Sequence, residues 1–266
     1  MSDMSWVVDF LPLVGAGCVV GFLIGLTGVG GGALMTPLLI STFGVSPQIA
    51  VGTDLLYAAI TKSTAGWRHH ILGHVDWPIV LRLAAGSVPA SLLILALMAF
   101  TPFNTEALAE SIRGALVFVL PASALAILVY PRFIKGPLSG EDFDVPVRTV
   151  PTVIFGVILG ALVTLTSVGA GAIGVAVLST LYPLLRARRV VGTDIAHAVP
   201  LTLVGGLGHM GLGHVDLVLM VALLVGSIPG MLLGTRLVGL APEWLLRPVL
   251  AIALCYAAYS LFTHAH

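Results

Sequence analysis

Four ionisable side chains lie where such groups are costly. Asp54, Lys62, Asp194 and His197 all fall inside long apolar runs of the chain. A charge at membrane depth is expensive, and it marks a functional position by default. Beside these residues stand two glycine-rich breaks. In the first, Gly-Leu-Thr-Gly-Val-Gly-Gly-Gly at 25–32, five of eight residues are glycine, too many to hold regular helix. In hydrocarbon, broken backbone is tolerated only where it is buried in protein or lines a cavity. Its freed N–H groups, and the positive end of the helix that follows, favour an anion. The expected donors are the backbone at Gly28, Gly30, Gly31 and Gly32 in the first break. In the second they are at Ser167, Gly169 and Gly171, with hydroxyls from Thr27, Thr166 and Ser167. Close packing of helices through small residues is the competing structural reading.

The ionisable groups each carry two readings. Asp54 and Asp194 both follow Val-Gly-Thr. They could cap a helix together with Thr53 and Thr193, or carry a proton or cation. Lys62 lies eight residues after Asp54, about 12 Å further along a helix. It could bind an anionic substrate, or pair permanently with Asp54 or Asp194. His197, three residues after Asp194, could share its proton. His70 and His74 have i, i+4 spacing, and His209 and His214 occupy the matching loop. They leave a metal-binding protein or enzyme embedded in the membrane as the alternative class, although no Cys or paired carboxylate completes a ligand set. Other enzyme motifs are missing. Gly28-Val-Gly30 lacks a glycine at position 33, Thr61-Lys62-Ser63 lacks the glycine of a phosphate-binding loop, and neither G-x-S-x-G nor H-E-x-x-H occurs. No cofactor is expected.

The elements that must position these residues are membrane helices. Of 266 residues, 58% are hydrophobic and 9% charged, against about 25% charged in a soluble domain. Twelve Lys and Arg balance twelve Asp and Glu, so nothing suggests nucleic acid as a partner. The expected partners are membrane lipid and a small anion; the oligomeric state is not legible. Cys18 and Cys255 sit in apolar runs and read as small buried hydrophobes without a disulfide. The polar lead 1–6 contains no Lys or Arg, so the first apolar segment is expected to be retained.

The chain repeats itself. Val-Gly-Thr-Asp at 51–54 recurs at 191–194, Gly-His-Val-Asp at 73–76 recurs at 213–216, and Gly-Ser-Val-Pro at 86–89 returns as Gly-Ser-Ile-Pro at 226–229. The separation is 140 residues each time, and the break Leu-Thr-Gly-Val-Gly-Gly-Gly returns as Leu-Thr-Ser-Val-Gly-Ala-Gly 139 residues later. This is a duplication, as transporter folds often are. It divides the chain into repeat 1 at 1–130, a polar linker at 131–150 and repeat 2 at 151–266. Lys62 corresponds to Thr202 and His197 to Tyr57, so the charges are not symmetric.

The distribution of basic residues orients the repeats. With four simple spans per repeat, Arg68, Arg82, Arg132, Lys135 and Arg148 face one side. Arg113, Arg186, Arg188, Arg189, Arg236 and Arg247 then face the other, which is no bias. With each break as the tip of a hairpin that enters and returns, only Arg113 falls on the second side. The expected fold is therefore an all-α polytopic membrane protein of two inverted repeats. Each is a broken-helix hairpin followed by three transmembrane helices, with the linker cytoplasmic and both termini periplasmic.

These motifs also carry a resemblance. Gly-Leu-Thr-Gly-Val-Gly-Gly-Gly with the following Pro37, Ala-Val-Gly-Thr-Asp-Leu-Leu at 50–56, Thr61-Lys62 and Gly-His-Val-Asp-Trp at 73–77 resemble the TauE/SafE family. The resemblance covers essentially the whole chain. It implies a bacterial inner-membrane secondary transporter that moves sulfite, sulfoacetate or related sulfonates outward. Many members of that family carry Ser where this chain has Asp54 and Asp194. The expectation is that the two breaks and Lys62 bind the anion, with Asp54, Asp194 and His197 as proton carriers.

Overall fold

A computed structural model describes residues 5–27, 32–100, 105–133, 148–237 and 243–263. The described residues form helices and no strands. In repeat 1 these are α1 (Ser5–Thr27), α2 (Gly32–Phe43), α3 (Pro47–Ile71), α4 (Trp77–Phe100) and α5 (Thr105–Phe133). In repeat 2 they are α6 (Thr149–Thr166), α7 (Ala172–Leu181), α8 (Ala187–Gly211), α9 (Leu217–Arg236) and α10 (Glu243–Thr263). The two sets match element for element, as the sequence repeat requires.

Length and composition make this a multi-pass membrane protein. Six helices among the described residues are long and apolar enough to cross a bilayer: α4, α5, α6, α8, α9 and α10. Their outer faces are apolar, with Leu92, Leu93 and Leu97 on α4, Phe118 and Leu125 on α5, and Ile252 and Tyr259 on α10 all exposed. α3 and α8 are both 25 residues long; α8 gathers its charges, Arg188, Arg189 and Asp194, in its first third, whereas Asp54, Lys62 and Arg68 are spread along α3. α2 and α7, with 12 and 10 residues, are half-helices. At 1.5 Å per residue they reach about 15–18 Å, roughly half of the hydrocarbon. The hairpins are thus unequal, a long first arm and a short second one. Cys18 is half-buried and Cys255 exposed, so burial of both, expected from their apolar surroundings, does not hold for Cys255. Both are free thiols.

Small residues lock the repeats together. Gly17, Gly21 and Gly25 on α1 lie against backbone at Leu223, Ser227 and Met231 of α9. Gly226, Gly230 and Gly234 return the contact against Val14, Cys18 and Phe22. The same arrangement joins α4 and α6, where Gly156 meets the carbonyl of Leu83 and Gly160 that of Ser87. A Cβ at any of these positions would run into a backbone carbonyl. Without a hydrophobic drive between helices in lipid, such close approach is a main source of association. Each hairpin arm therefore packs on a helix of the other repeat, and in both pairs the helices run parallel.

α3 and α8 cross at the centre in the opposite sense. Gly52, early in α3, meets His214 and His209 at the end of α8, and Gly192, early in α8, meets His74 and His69 at the end of α3. The two equivalent helices are therefore antiparallel. Around them lies the largest apolar cluster, which includes Leu55, Leu116, Leu120, Leu201 and Leu254.

Candidate functional site

The second glycine break is fully described. Ser167 ends α6 in the left-handed region at φ 59°, and its N–H donates to Val163 O at 2.8 Å. The Thr166 hydroxyl donates to Leu162 O at 2.6 Å and accepts from the N–H of Val168 at 3.1 Å. Gly169 and Gly171 have φ of 126° and 118°, which an L side chain rarely adopts. α7 then begins at Ala172. The break therefore points a helix N-terminus and a bent stretch of backbone into the protein. Of the first break, Gly28, Gly30 and Gly31 lie outside the described residues. Thr27 and Gly32 mark the helix ends that flank it, and the side chain of Thr27 also lies outside the description.

Lys62 reaches this second break from the other repeat. Its ammonium donates to Ala170 O at 3.2 Å, and the residue is 8% exposed. Asp194 and Asp54 both act on it electrostatically. Asp194, 1% exposed, lies against Gly174 on the first turn of α7 and interacts with the backbone of Gly171. Asp54, fully buried, accepts a hydrogen bond from the Thr36 hydroxyl at 2.6 Å and interacts with the hydroxyl of Ser167. Among the described residues, Asp54 Oδ1, both carboxylate oxygens of Asp194 and the Ser167 hydroxyl have no partner in full hydrogen-bond geometry. One buried ammonium, two buried carboxylates and the second break thus form a single cluster.

Neither Asp caps a helix. α3 begins at Pro47 and α8 at Ala187, so Thr53-Asp54 and Thr193-Asp194 lie within the helices. The threonines serve the opposite repeat instead. Thr53 Oγ1 accepts from the N–H of Asp216 at 3.0 Å, and Thr193 Oγ1 accepts from that of Asp76 at 2.9 Å. These two bonds are equivalent under the repeat, as are the next two. The Tyr57 hydroxyl donates to Ser227 Oγ at 2.8 Å, and His197 Nε2 pairs with Ser87 Oγ at 2.8 Å, all four residues being buried. His197 is therefore held by Ser87, and no hydrogen bond joins it to Asp194 among the described residues.

Besides the contacts of Lys62 and Thr36, a further one has no counterpart under the repeat. Arg189 makes an ion pair with Asp76 at 3.0 Å, where its counterpart position holds Ile49. Asp216, equivalent to Asp76, caps α9 by accepting from Val218 N–H and Leu219 N–H.

The loop histidines do not assemble as their spacing implies. α3 ends at Ile71, so His70 and His74 share no helical face. His74 lies instead near His69, ring centroids 5.6 Å apart, and His209 lies 5.5 Å from His214. His70 accepts from Trp77 Nε1 at 3.3 Å, and His209 Nε2 pairs with Thr164 O at 2.9 Å. Partial burial pushes the His214 imidazole below its ordinary pKa. No group of three or more His, Cys, Asp or Glu side chains gathers among the described residues.

Comparison with known proteins agrees with this architecture. The model of the sulfite exporter TauE/SafE family matches residues 13–261. The chain is 38% identical over 236 residues to the probable membrane transporter protein YjnA of Bacillus subtilis (strain 168), covering 88% of this chain and 91% of that one. It is 27% identical over 232 residues to the probable membrane transporter protein YdhB of the same organism, covering 86% and 90%. A probable membrane transporter protein of Xylella fastidiosa (strain 9a5c) is 28% identical over 232 residues, 86% of this chain and 85% of that one. No solved structure matches at a significant level. The chain belongs to the sulfite exporter TauE/SafE family.

Proposed function

We propose that this family member is a secondary transporter of the bacterial inner membrane that exports a small sulfur-containing anion, such as sulfite, sulfoacetate or a related sulfonate, with coupling to protons. The observation that carries the reading is the position of Lys62. A buried ammonium from repeat 1 rests on the glycine break of repeat 2, within electrostatic reach of two buried carboxylates. The second break, with Thr166, Ser167, Gly169 and Gly171, and its equivalent at Thr27, Gly28, Gly30, Gly31 and Gly32, would embrace the anion from opposite sides, and Lys62 would supply the charge. Asp54 and Asp194 would take up and release the coupled proton, with His197, held by Ser87, three residues after Asp194 in the chain.

Alternating access would come from one repeat rocking against the other about this cluster. The antiparallel crossing of α3 and α8 supports an inverted relation between repeats 1–130 and 151–266, with the linker 131–150 cytoplasmic and both termini periplasmic. The paired bonds Thr53–Asp216, Thr193–Asp76, Tyr57–Ser227 and His197–Ser87 are contacts that such a motion would exchange or preserve in pairs.

Uptake of labelled sulfite and sulfoacetate into proteoliposomes, with and without an imposed pH gradient, tests the reading. Saturable flux whose dependence on the gradient is lost when Asp54→Asn and Asp194→Asn are combined supports it. Protein-independent leakage alone sends the substrate assignment elsewhere. Loss of function on changing His70 and His74, together with bound metal and no anion flux, would favour the metal-protein alternative.

A further inference from the structure

The charge count of the central cluster limits what can bind there. Lys62 contributes one positive charge, and Asp54 and Asp194 contribute two negative ones when ionised. All three are at most 8% exposed. Among the described residues, the other polar groups facing them add none. Thr36 on α2 and Ser167 after α6 are hydroxyls. Tyr57 on α3 is engaged by Ser227, and His197 on α8 is engaged by Ser87. The stretch 28–31 consists of glycine and valine and carries no ionisable side chain. A net buried charge is far costlier than a neutral set. The empty cluster is neutral when one carboxyl holds a proton. An anion added to that state makes it negative again, unless the second carboxyl is protonated as well.

We infer that this site binds a monovalent oxyanion together with one proton, so that anion and proton move in the same direction and the cycle transfers no net charge. This rests on the transport reading above and deepens it. In the loaded state Lys62 pairs with the anion and both carboxyls are neutral. In the empty state Lys62 pairs with one carboxylate, and the other stays protonated. No bond other than O–H is made or broken, and the proton comes from the side that delivers the anion. The arrangement disfavours exchange of the anion for a proton, because an anion with both carboxylates ionised would leave the cluster with two uncompensated negative charges. It also disfavours a dianion such as sulfate, or sulfoacetate with its carboxylate ionised, and so selects bisulfite and simple sulfonates among the anions named above. Outward transport then occurs when the anion gradient outweighs the inward proton gradient.

The unpartnered oxygens support a site that awaits a ligand rather than a finished ion pair. Asp54 Oδ1, both oxygens of Asp194 and the hydroxyl of Ser167 are buried without full hydrogen bonds among the described residues. In a permanent salt bridge of three such groups, these atoms would normally be satisfied.

The test uses the full chain in proteoliposomes loaded with a pH-sensitive dye. The probes are bisulfite and methanesulfonate, the second a strong-acid anion that carries no proton of its own, with sulfate as the divalent comparison. Lumenal acidification should accompany entry of methanesulfonate, one proton per anion, and entry of bisulfite should add to that proton those released as it dissociates, with both initial rates unchanged by a valinomycin-set voltage. Either single variant, Asp54→Asn or Asp194→Asn, should keep this coupling, since one carboxyl still neutralises Lys62 when the site is empty. The double variant should move the anion without acidification and become voltage-sensitive. Voltage-driven wild-type flux, alkalinisation on anion entry, or a double variant that still carries protons overturns the inference while leaving the transport reading intact. Absence of flux for every anion overturns both.

Discussion

Gly174→Ala tests whether the Asp194 carboxylate is held against the start of α7. A Cβ at Gly174 would collide with Asp194 Oδ1 and lie 2.9 Å from its Cγ, where ordinary contact begins at 3.4 Å. Asp194 is 1% exposed, and its carboxylate would have to shift to make room. Against this, alanine favours helix over glycine by about 1 kcal/mol. Overpacking a filled site costs about 1–3 kcal/mol, so the steric term wins and the net change is a destabilisation of about 1 kcal/mol. In an Asp194→Ala background the obstacle is gone, and Gly174→Ala should stabilise by about 1 kcal/mol. The coupling between the two positions is then about 2 kcal/mol, within the range for residues in contact. For a chain of this size each kcal/mol moves the melting midpoint by about 2–4 °C. The assay is thermal unfolding of the purified protein in detergent for the wild type, both single variants and the double. If Gly174→Ala shifts the midpoint in the same direction in both backgrounds, the carboxylate does not sit where the argument needs it.

Other positions give sharper yes-or-no outcomes. Ser227→Ala leaves the buried Tyr57 hydroxyl without its acceptor and should cost about 1–3 kcal/mol; Tyr57→Phe added to it should recover part of that loss in the same melting assay. Gly226→Leu drives a side chain into the backbone of Val14 and Cys18 and should abolish recovery of monodisperse protein, whereas the same change at Gly15, which faces open space, should not. Cysteines introduced as Arg68→Cys and Arg188→Cys in a background lacking Cys18 and Cys255 should be labelled from one face of the membrane and Arg113→Cys from the other. Opposite labelling of Arg68→Cys and Arg188→Cys contradicts the inverted arrangement.

Much of the architecture was legible because the chain states it twice. The 140-residue repeat and the two glycine breaks account for the hairpin-plus-three pattern that α1–α5 and α6–α10 follow. Lys62 stood out as a lone basic residue inside an apolar run, and the structure brings it to the second break. The capping reading of Asp54 and Asp194, one of the two left open, does not hold, although Val-Gly-Thr-Asp resembles a helix start. The helices instead begin seven residues earlier, at Pro47 and Ala187, where proline or an arginine-flanked turn opens them. Thr36, Ser87 and Ser227 were missed altogether. Ser87 and Ser227 lie within the repeated Gly-Ser-Val-Pro and Gly-Ser-Ile-Pro. A hydroxyl kept at equivalent places in two apolar spans is a signal for a buried partner. Nothing local identified those partners, because Tyr57 and His197 differ in kind and lie 170 and 110 residues away. Thr36 has Val175 at its equivalent position, so the repeat carried no signal for it.

The proposed transport turns on a buried lysine that binds the anion at the glycine break. The direct measurement is the initial rate of labelled sulfite uptake into proteoliposomes containing wild-type protein, Lys62→Ala or Lys62→Arg at equal folded amounts. The account predicts saturable uptake by the wild type, loss in Lys62→Ala to the level of empty liposomes, and partial retention in Lys62→Arg, which keeps the charge with a different shape. Undiminished saturable uptake by a correctly folded Lys62→Ala would contradict it.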